Sequence, residues 1–535
     1  MSDSTGCALA IVAQLCVQGV REVVLCPGSR SAPLALALDR ASTAGRLRLH
    51  VRTDERSAAF LALGLAKVSQ NPVAVVTTSG TAAGNLLPAV MEAHHAQVPL
   101  LVLTADRPAA HVGFGANQTT EQATLFAGFL RYSARVASSA ASASWVAQAA
   151  RAVAAATGVR TRDPGPAHLN VELAEPLVEA ASPRAWPGVR PVHHARLGSA
   201  EPLMLTAGAA TVLVCGDASP DTGAVVARLA SAAKVPLIAE PSSNARRGSA
   251  ALATGRLLVD SDVGRAIERV VVFGHPTLSR PVNRLLSRAD VELIVVSETS
   301  GWVDPGWRAG QVASAVALEP TDGSWLEAWV AADRHRSRQV ADVLAGTPGM
   351  TGQGLAAAVL ASQADGLVVL GNSNAIRDAD LAPIAQRPPA VYANRGLSGI
   401  DGLVSTAIGV ALGGAGRPAT LLCGDLTFLH DANGLAAGLG ERRPDLRIVV
   451  ADDNGGSIFA TLEYGAPEFA KSFERVFATP SGVDLVALAR AYGLPARRVS
   501  DAGEVTAALA RPISGVDVLV VGLDRRNRRD VASRL

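Results

Sequence analysis

At 535 residues the chain is too long for one hydrophobic core, so two to four domains are expected. Apolar residues at 49% and charged residues at 18% describe a globular protein rather than a disordered or fibrous one. A net charge of +2 and only 4% aromatic residues give neither a polyanion-binding field nor a base-stacking surface, so no nucleic-acid partner is expected. The N-terminus lacks the basic start and apolar core of a secretory signal, and no apolar run is long enough to span a membrane. Cys7, Cys16, Cys26, Cys215 and Cys423 are scattered without CxxC spacing, which argues for buried thiols in a reducing compartment. A cytoplasmic protein is expected.

Short Val-rich runs separated by Ala- and Leu-rich stretches then follow in chain order. Val23–Cys26, the run RLRLHV ending at Val51, Val73–Thr77, Leu100–Thr104 and Leu169–Leu173 come first. Continuous apolar runs of this length suit strands covered on both faces, and their alternation with helices implies a parallel sheet. The stretch 175–198, EPLVEAASPRAWPGVRPVHHARLG, reads as a linker. Val212–Cys215, Val235–Ala239, Val270–Phe273 and Val291–Val296 form a second series, and a break follows at Ala345–Gly352. Gly366–Leu370, Thr420–Cys423 and Ile448–Ala451 form a third. The expected fold class is α/β, with three doubly wound domains at 1–180, 195–345 and 350–535. The basic stretch 524–529 reads as a solvated tail.

Two clusters carry the sharpest chemistry. Gly424-Asp425-Leu426-Thr427 ends one predicted strand, and Asp452-Asp453-Asn454-Gly455-Gly456-Ser457-Ile458-Phe459 ends the next. Open α/β sheets bind ligands at that edge. Asp425, one of Asp452 and Asp453, and the Gly455 carbonyl are hard oxygen donors suited to Mg²⁺ beside phosphate. The glycines let backbone N–H groups approach a diphosphate, and a helix start after each turn would favour the anion. One such cluster alone would be ordinary turn chemistry; two, just under thirty residues apart, are not. Upstream, Glu55 follows the second predicted strand, and Thr77-Thr78-Ser79-Gly80-Thr81-Ala82-Ala83-Gly84-Asn85 follows the third. Taken singly, these would be a helix-start acid and a capped turn.

In this arrangement the Gly-Asp…Asp-Asp pattern resembles the diphosphate motif of thiamine diphosphate-dependent enzymes, with Leu426 in place of the usual Gly and Asp452-Asp453 in place of the usual Asn pair. The resemblance implies a pyruvate decarboxylase-like architecture: an aminopyrimidine-binding domain, a central Rossmann-like domain and a diphosphate-binding domain. It implies thiamine diphosphate and Mg²⁺, with Mn²⁺ as an alternative, the metal held by Asp425, Asp453 and the Gly455 carbonyl. The cofactor would contact Ser29, Glu55, Ser79, Gly80, Thr81, Asn85, Ser398, Ile400, Gly424, Asp425, Leu426, Thr427, Asn454, Gly455, Gly456, Ile458 and Phe459. Glu55 would be the carboxylate at N1′ of the aminopyrimidine. Ile400 would prop the bent cofactor. Active sites shared across a homodimer, or a dimer of such dimers, would follow.

Pro27-Gly28-Ser29-Arg30-Ser31, Thr104-Ala105-Asp106-Arg107-Pro108, Gly115-Ala116-Asn117-Gln118, Gly371-Asn372-Ser373 and Asn394-Arg395-Gly396-Leu397-Ser398-Gly399-Ile400-Asp401-Gly402 are similar to the menaquinone-pathway, MenD-type branch of that family. That branch decarboxylates 2-oxoglutarate and adds the succinyl carbanion to isochorismate. Both substrates are dicarboxylates, which suits a set of planar Arg forks. By resemblance, Arg377 and Arg395 hold the succinyl side with Asn372 and Ser373. Arg30 and Arg107 hold isochorismate with Gln118 at the reacting centre, and Arg280 joins the substrate set. Gln118 and Arg395 would act with Glu55 in catalysis. An acetolactate synthase-like carboligase is the alternative, although pyruvate, with one carboxylate, needs no such arginine set. A dehydrogenase reading rests on Val212–Asp217, which no GxGxxG follows. His94-His95 and His193-His194 are adjacent pairs rather than a zinc set.

Overall fold

The computed structural model describes residues 3–178, 184–195, 197–198 and 201–535. Most of the apolar runs become inner strands of three parallel sheets, while Arg48–Val51 and Leu237–Ala239 become edge strands. In the first sheet, β1 (Glu22–Leu25), β2 (Arg48–Val51), β3 (Val73–Thr77), β4 (Leu100–Asp106), β5 (Tyr132–Ala137) and β6 (Ala167–Glu172) lie in the order β2-β1-β3-β4-β6-β5. β1, β3, β4 and β6 are buried at every position, whereas the edge strands β2 and β5 are partly exposed. An edge strand has one covered side fewer, so β5 carries no continuous apolar run and escapes a pattern search for one.

The second series begins with β7 (Leu203–Leu205), then β8 (Thr211–Cys215), β9 (Leu237–Ala239), β10 (Arg269–Phe273), β11 (Glu292–Val296), β12 (Ala309–Ala313) and β13 (Val316–Leu318). β7 pairs with β13, and the others form a sheet in the order β12-β11-β10-β8-β9. The third sheet holds β14 (Leu367–Leu370), β15 (Ala390–Tyr392), β16 (Ala419–Gly424), β17 (Leu446–Asp452), β18 (Ala496–Val499) and β19 (Val516–Gly522) in the order β15-β14-β16-β17-β19-β18. Its topology repeats that of the first sheet. In each sheet there is one central point where the loops of two adjacent strands run to opposite sides, and there they open a crevice. Those points lie between β1 and β3, β8 and β10, and β14 and β16.

By contacts the chain divides into two units. The first sheet forms one together with Asp401–Gly416 and His430–Pro444; the other two sheets form the second. Within the first unit, helix Glu55–Ser69 packs along helix Leu403–Gly413 through glycines. A Cβ on Gly64 would lie 2.1 Å from the Thr406 carbonyl oxygen, and one on Gly409 would lie 2.2 Å from that of Leu61. The two backbones touch because neither glycine has a side chain. Asp431 ties the same elements together: its carboxylate accepts from Ser57 Oγ at 3.0 Å and from the Ser405 backbone at 2.7 Å. Asp54 caps the first helix by accepting from Ser57 N.

Two expectations need correction. Residues 524–529 are not a solvated tail. Arg528 is 8% exposed, and helix Asn527–Arg534 is docked through it and Val531. The second cluster is followed by a 3₁₀ turn, Ser457–Thr461, rather than by an α-helix start. The linker reading falls on a stretch whose residues 184–195 form no helix or strand; residues 179–183 and 196 lie outside the described residues. All five cysteines are free and buried. Among the described residues no helix is long and apolar enough to cross a membrane.

A Gly→Ala change inside a helix ordinarily stabilises it by about 1 kcal/mol. At Gly64 or Gly409 the added methyl meets backbone, so each change is expected to destabilise by about 1–3 kcal/mol instead. Thermal unfolding of either single variant checks the sign.

Candidate active site

The crevice of the first sheet is lined by the loops after β1 and β3. Ser79 is buried, and Gly80 has φ +79°, a backbone region that favours glycine. A Cβ there would also press on Gln118 Cγ at 2.9 Å. Ser79 and Gln118 interlock: Ser79 Oγ donates to the Gln118 carbonyl at 2.9 Å, and Gln118 Nε2 donates to the Ser79 carbonyl at 2.8 Å. Arg107 Nη1 donates to Ser79 Oγ and the Gln118 carbonyl, at 3.2 and 3.1 Å. Arg30 donates to the Leu173 carbonyl and lies 3.5 Å from Glu175. Burial, followed by repulsion from Arg107, lowers the Arg30 pKa, which places these two arginines close together. Ser29, Thr81 and Asn85 are exposed at the rim, and Glu55 is half-buried at the first position of its helix.

Beneath this turn lies a buried network that sequence reasoning missed. Gly80 N donates to Gln122 Oε1 at 3.1 Å. Gln122 Nε2 donates to the Ala105 carbonyl and to Asn170 Oδ1. Asn170 Nδ2 donates to Asp106 Oδ2 at 2.9 Å, and Asp106 Oδ1 accepts from Arg107 N. Thr104 Oγ1 donates to Asn170 Oδ1, so its contact with His168 Nε2 at 2.7 Å requires that nitrogen to carry the proton. Burial holds the His168 pKa down at about 4, so the ring is neutral. The available signal was His168, Asn170 and Glu172 alternating with apolar residues in one strand, hence on one face.

The diphosphate-type cluster spans the C-terminal ends of β16 and β17. Asp425 accepts from Leu426 N at 2.7 Å and Gly455 N at 2.6 Å. Gly455 has φ +124°, and a Cβ there would lie 2.2 Å from the Ala478 carbonyl oxygen. Burial first, then the charge of Asp453, push the Asp425 pKa up to about 7. Asp453 is 6% exposed, whereas Asp452 pairs outward with Arg498 at 2.7 Å. The pair facing each other is therefore Asp425 and Asp453. Two repelling carboxylates in a mostly buried site fit a divalent cation completed by carbonyl and phosphate oxygens. Among the described residues no group of three or more His, Cys, Asp or Glu side chains is placed to hold a metal ion.

Not every expected donor is free. Gly456 N donates to the Ala478 carbonyl at 2.6 Å, and the Gly455 carbonyl accepts from Ser457 N at 2.8 Å. The Gly456 N–H is thus committed to protein, contrary to the expectation that it faces a phosphate. Thr427 is buried, while Asn454 is exposed in the left-handed region. Ile400, Ser398, Ile458 and Phe459 are half-buried, so Ile400 is no ordinary core isoleucine. Nothing in the Gly424 surroundings would meet a Cβ, so this position faces open space. The C-terminal basic stretch supplies the unexpected partners. Arg528 bridges Asp378 at 2.7 Å and Asp453 at 3.2 Å, and Arg525 donates to the Asn454 carbonyl.

At the remaining loops, Asn372 is the hub. Its Nδ2 donates to the Asn394 and Gly399 carbonyls, both at 2.7 Å, and its Oδ1 accepts from Arg395 at 2.9 Å. Arg395 is 3% exposed and also donates to Thr277 Oγ1 at 2.7 Å. Arg377 is exposed at its surface yet donates to the Leu278 carbonyl, and local desolvation followed by repulsion from Arg395 lowers its pKa. Ser373, with φ +68°, is half-buried beside them. Arg280 stands apart: it is exposed and paired with Glu463 at 3.1 Å.

A chain with these two crevices has the build of a cofactor-dependent carboligase, and comparison defines the class. Residues 7–126 match the thiamine pyrophosphate enzyme N-terminal TPP binding domain, and residues 378–521 match the C-terminal TPP binding domain. Proteins named 2-succinyl-5-enolpyruvyl-6-hydroxy-3-cyclohexene-1-carboxylate synthase are similar over nearly their whole length. The one from Kineococcus radiotolerans is 48% identical, covering 98% of this chain and 97% of the relative. Those from Nocardioides sp. and Rhodococcus erythropolis are 46% and 42% identical, covering 100% and 99% of this chain and 97% and 98% of the relatives. The chain belongs to this family of thiamine diphosphate enzymes.

Because His168 is neutral when folded and titrates near 6.5 when unfolded, the unfolded state binds the extra proton between those two values. Stability is therefore full above about pH 6.5 and lost as pH falls toward 4, by on the order of 3 kcal/mol. Denaturant titrations at a series of pH values check this, and His168→Gln is expected to flatten that part of the profile.

Proposed function

We propose that the chain is a transferase of menaquinone biosynthesis that decarboxylates 2-oxoglutarate and adds the succinyl unit to the conjugated system of isochorismate, releasing CO2. The observation that carries this reading is Arg395: a deeply buried guanidinium whose two side-chain partners, Asn372 and Thr277, are both neutral. A buried cation held only by neutral groups keeps its charge for an anionic substrate. Family membership turns that preference toward a dicarboxylic 2-oxo acid.

Bound thiamine diphosphate supplies the electron sink that loss of CO2 from a 2-oxo acid requires. This chain's residues do the rest. Glu55, at the first position of its helix, would hold the aminopyrimidine through its carboxylate and supply general acid–base chemistry there. Asp425, Asp453 and the Gly455 carbonyl hold Mg²⁺, or Mn²⁺ in its place. Ser29, Ser79, Gly80, Thr81, Asn85, Ser398, Ile400, Gly424, Leu426, Thr427, Asn454, Gly456, Ile458 and Phe459 form the cofactor's surroundings, Gly456 through its surface rather than its N–H. Arg377 and Arg395, with Ser373, bind the 2-oxo acid. Arg30 and Arg107 bind the isochorismate carboxylates and Gln118 lies at the reacting centre. Arg280 reaches substrate only after leaving Glu463. We further propose three domains at 1–180, 195–345 and 350–535 in a cytoplasmic homodimer, or a dimer of dimers, each active site taking Glu55 from one protomer and Asp425 from the other.

Spectrophotometric loss of isochorismate should require 2-oxoglutarate, thiamine diphosphate and Mg²⁺ together. Glu55→Gln is expected to lower kcat by at least about 10²-fold, and Asp425→Asn to raise the Mg²⁺ concentration needed for half-activity. Consumption of pyruvate with no loss of isochorismate would overturn the substrate assignment.

A further inference from the structure

Glu240 directly follows β9, is buried, and has no part in the steps above. It is 5% exposed, and its Oε1 accepts from Thr277 N at 2.9 Å and Leu278 N at 2.8 Å. Those two residues lie in the loop after β10, at the reversal point of the central sheet. The same loop contacts both substrate-side arginines: Thr277 Oγ1 accepts from Arg395, and the Leu278 carbonyl accepts from Arg377. One carboxylate oxygen thus fixes two consecutive amides whose own residues present the acceptors for two guanidinium groups. A bridge between Asp217 and His275 holds the start of that loop, so Glu240 governs its middle.

We propose that Glu240 is a positioning residue for substrate recognition, setting the Thr277–Leu278 backbone so that Arg395 and Arg377 point their charge at the carboxylates of the 2-oxo acid. The substrate named here rests on the function proposed above. The alternative acid in the region is already committed: Asp380 pairs with Arg256 at 2.7 Å. Glu240 is also unlike a salt-bridge partner. Burial pushes its pKa up to about 8, and its Oε2 has no hydrogen-bond partner. A neutral carboxyl at pH 7 orders the loop through its acceptor oxygen and leaves the arginine charge uncancelled. Its role is therefore one that an amide oxygen can fill.

The test compares wild-type holoenzyme with Glu240→Ala, Glu240→Gln and Thr277→Val. Steady-state kinetics is run against each substrate, with calorimetric titration of 2-oxoglutarate and of thiamine diphosphate. Glu240→Ala is expected to raise the KM and the calorimetric Kd for 2-oxoglutarate about tenfold while kcat stays within about threefold. Its KM for isochorismate and its thiamine diphosphate affinity should stay within about twofold. Glu240→Gln should restore the wild-type values to within about threefold, since the acceptor survives. Thr277→Val, which removes only the hydroxyl on Arg395, should show a smaller rise of the same kind and keeps the test usable if Glu240→Ala does not fold. An unchanged KM in both Glu240→Ala and Thr277→Val would overturn the inference, as would a Glu240→Gln variant no better than Glu240→Ala. Wild-type protein that neither binds nor turns over 2-oxoglutarate would overturn the proposed function and the inference together, whereas wild-type turnover with insensitive variants overturns the inference alone.

Discussion

Several functional loops of this chain hang on one constraint. A parallel strand must be followed by a crossover, and crossovers to either side of the first strand leave on opposite faces. Where the strand order reverses, the two loops part and leave their backbone groups unpaired toward a crevice. The chain uses that device three times. PGSRS and the Ser79-Gly80 turn meet at one reversal, Gly371-Asn372-Ser373 and Gly424-Asp425 at another, and the loop Gly274–Arg280 sits at the third. The first and third sheets share one topology, so the two halves of cofactor binding are variations on one architectural theme.

Two like-charged pairs near the strand ends of the third sheet balance their charge differently. Asp425 and Asp453 are mutually repelling acids that are only partly compensated, by Arg528 and by backbone N–H groups. Arg377 and Arg395 are mutually repelling cations held by neutral oxygens. Each arrangement costs stability in isolation and is relieved by a ligand of opposite sign. The surrounding rigidity holds these groups in place: Asp431 across Ser57 and Ser405, Gln122 beneath Gly80, and Asn372 between Arg395 and the 394–399 backbone.

Legibility in the sequence followed the range over which each signal acts. Most inner strands were readable because burial on both faces forces continuous apolar runs, although the inner strand β19 was not picked out. β5 and β18 were not, since an edge strand tolerates exposed residues. Asp425, Glu55 and Arg395 were readable as members of local motifs with fixed neighbours. Gln122, Asn170 and Glu240 were not, because each acts on backbone far away in sequence and carries no local pattern. Arg528 was misread for the same reason: in a run of basic residues the default is solvent, and only folding brings Asp378 and Asp453 to it.

The sequence by itself determined the class of fold and the thiamine diphosphate chemistry, since these depend on periodicity and on residues a few positions apart. Tertiary structure alone decided three further matters. It buried Asp453 and left Asp452 to pair with Arg498, a difference that adjacent identical residues cannot announce. It committed the Gly456 N–H to Ala478. It also joined Asp401–Gly416 and His430–Pro444 to the first sheet, because close backbone contact at Gly64 and Gly409 is a property of two helices at once and of neither sequence alone.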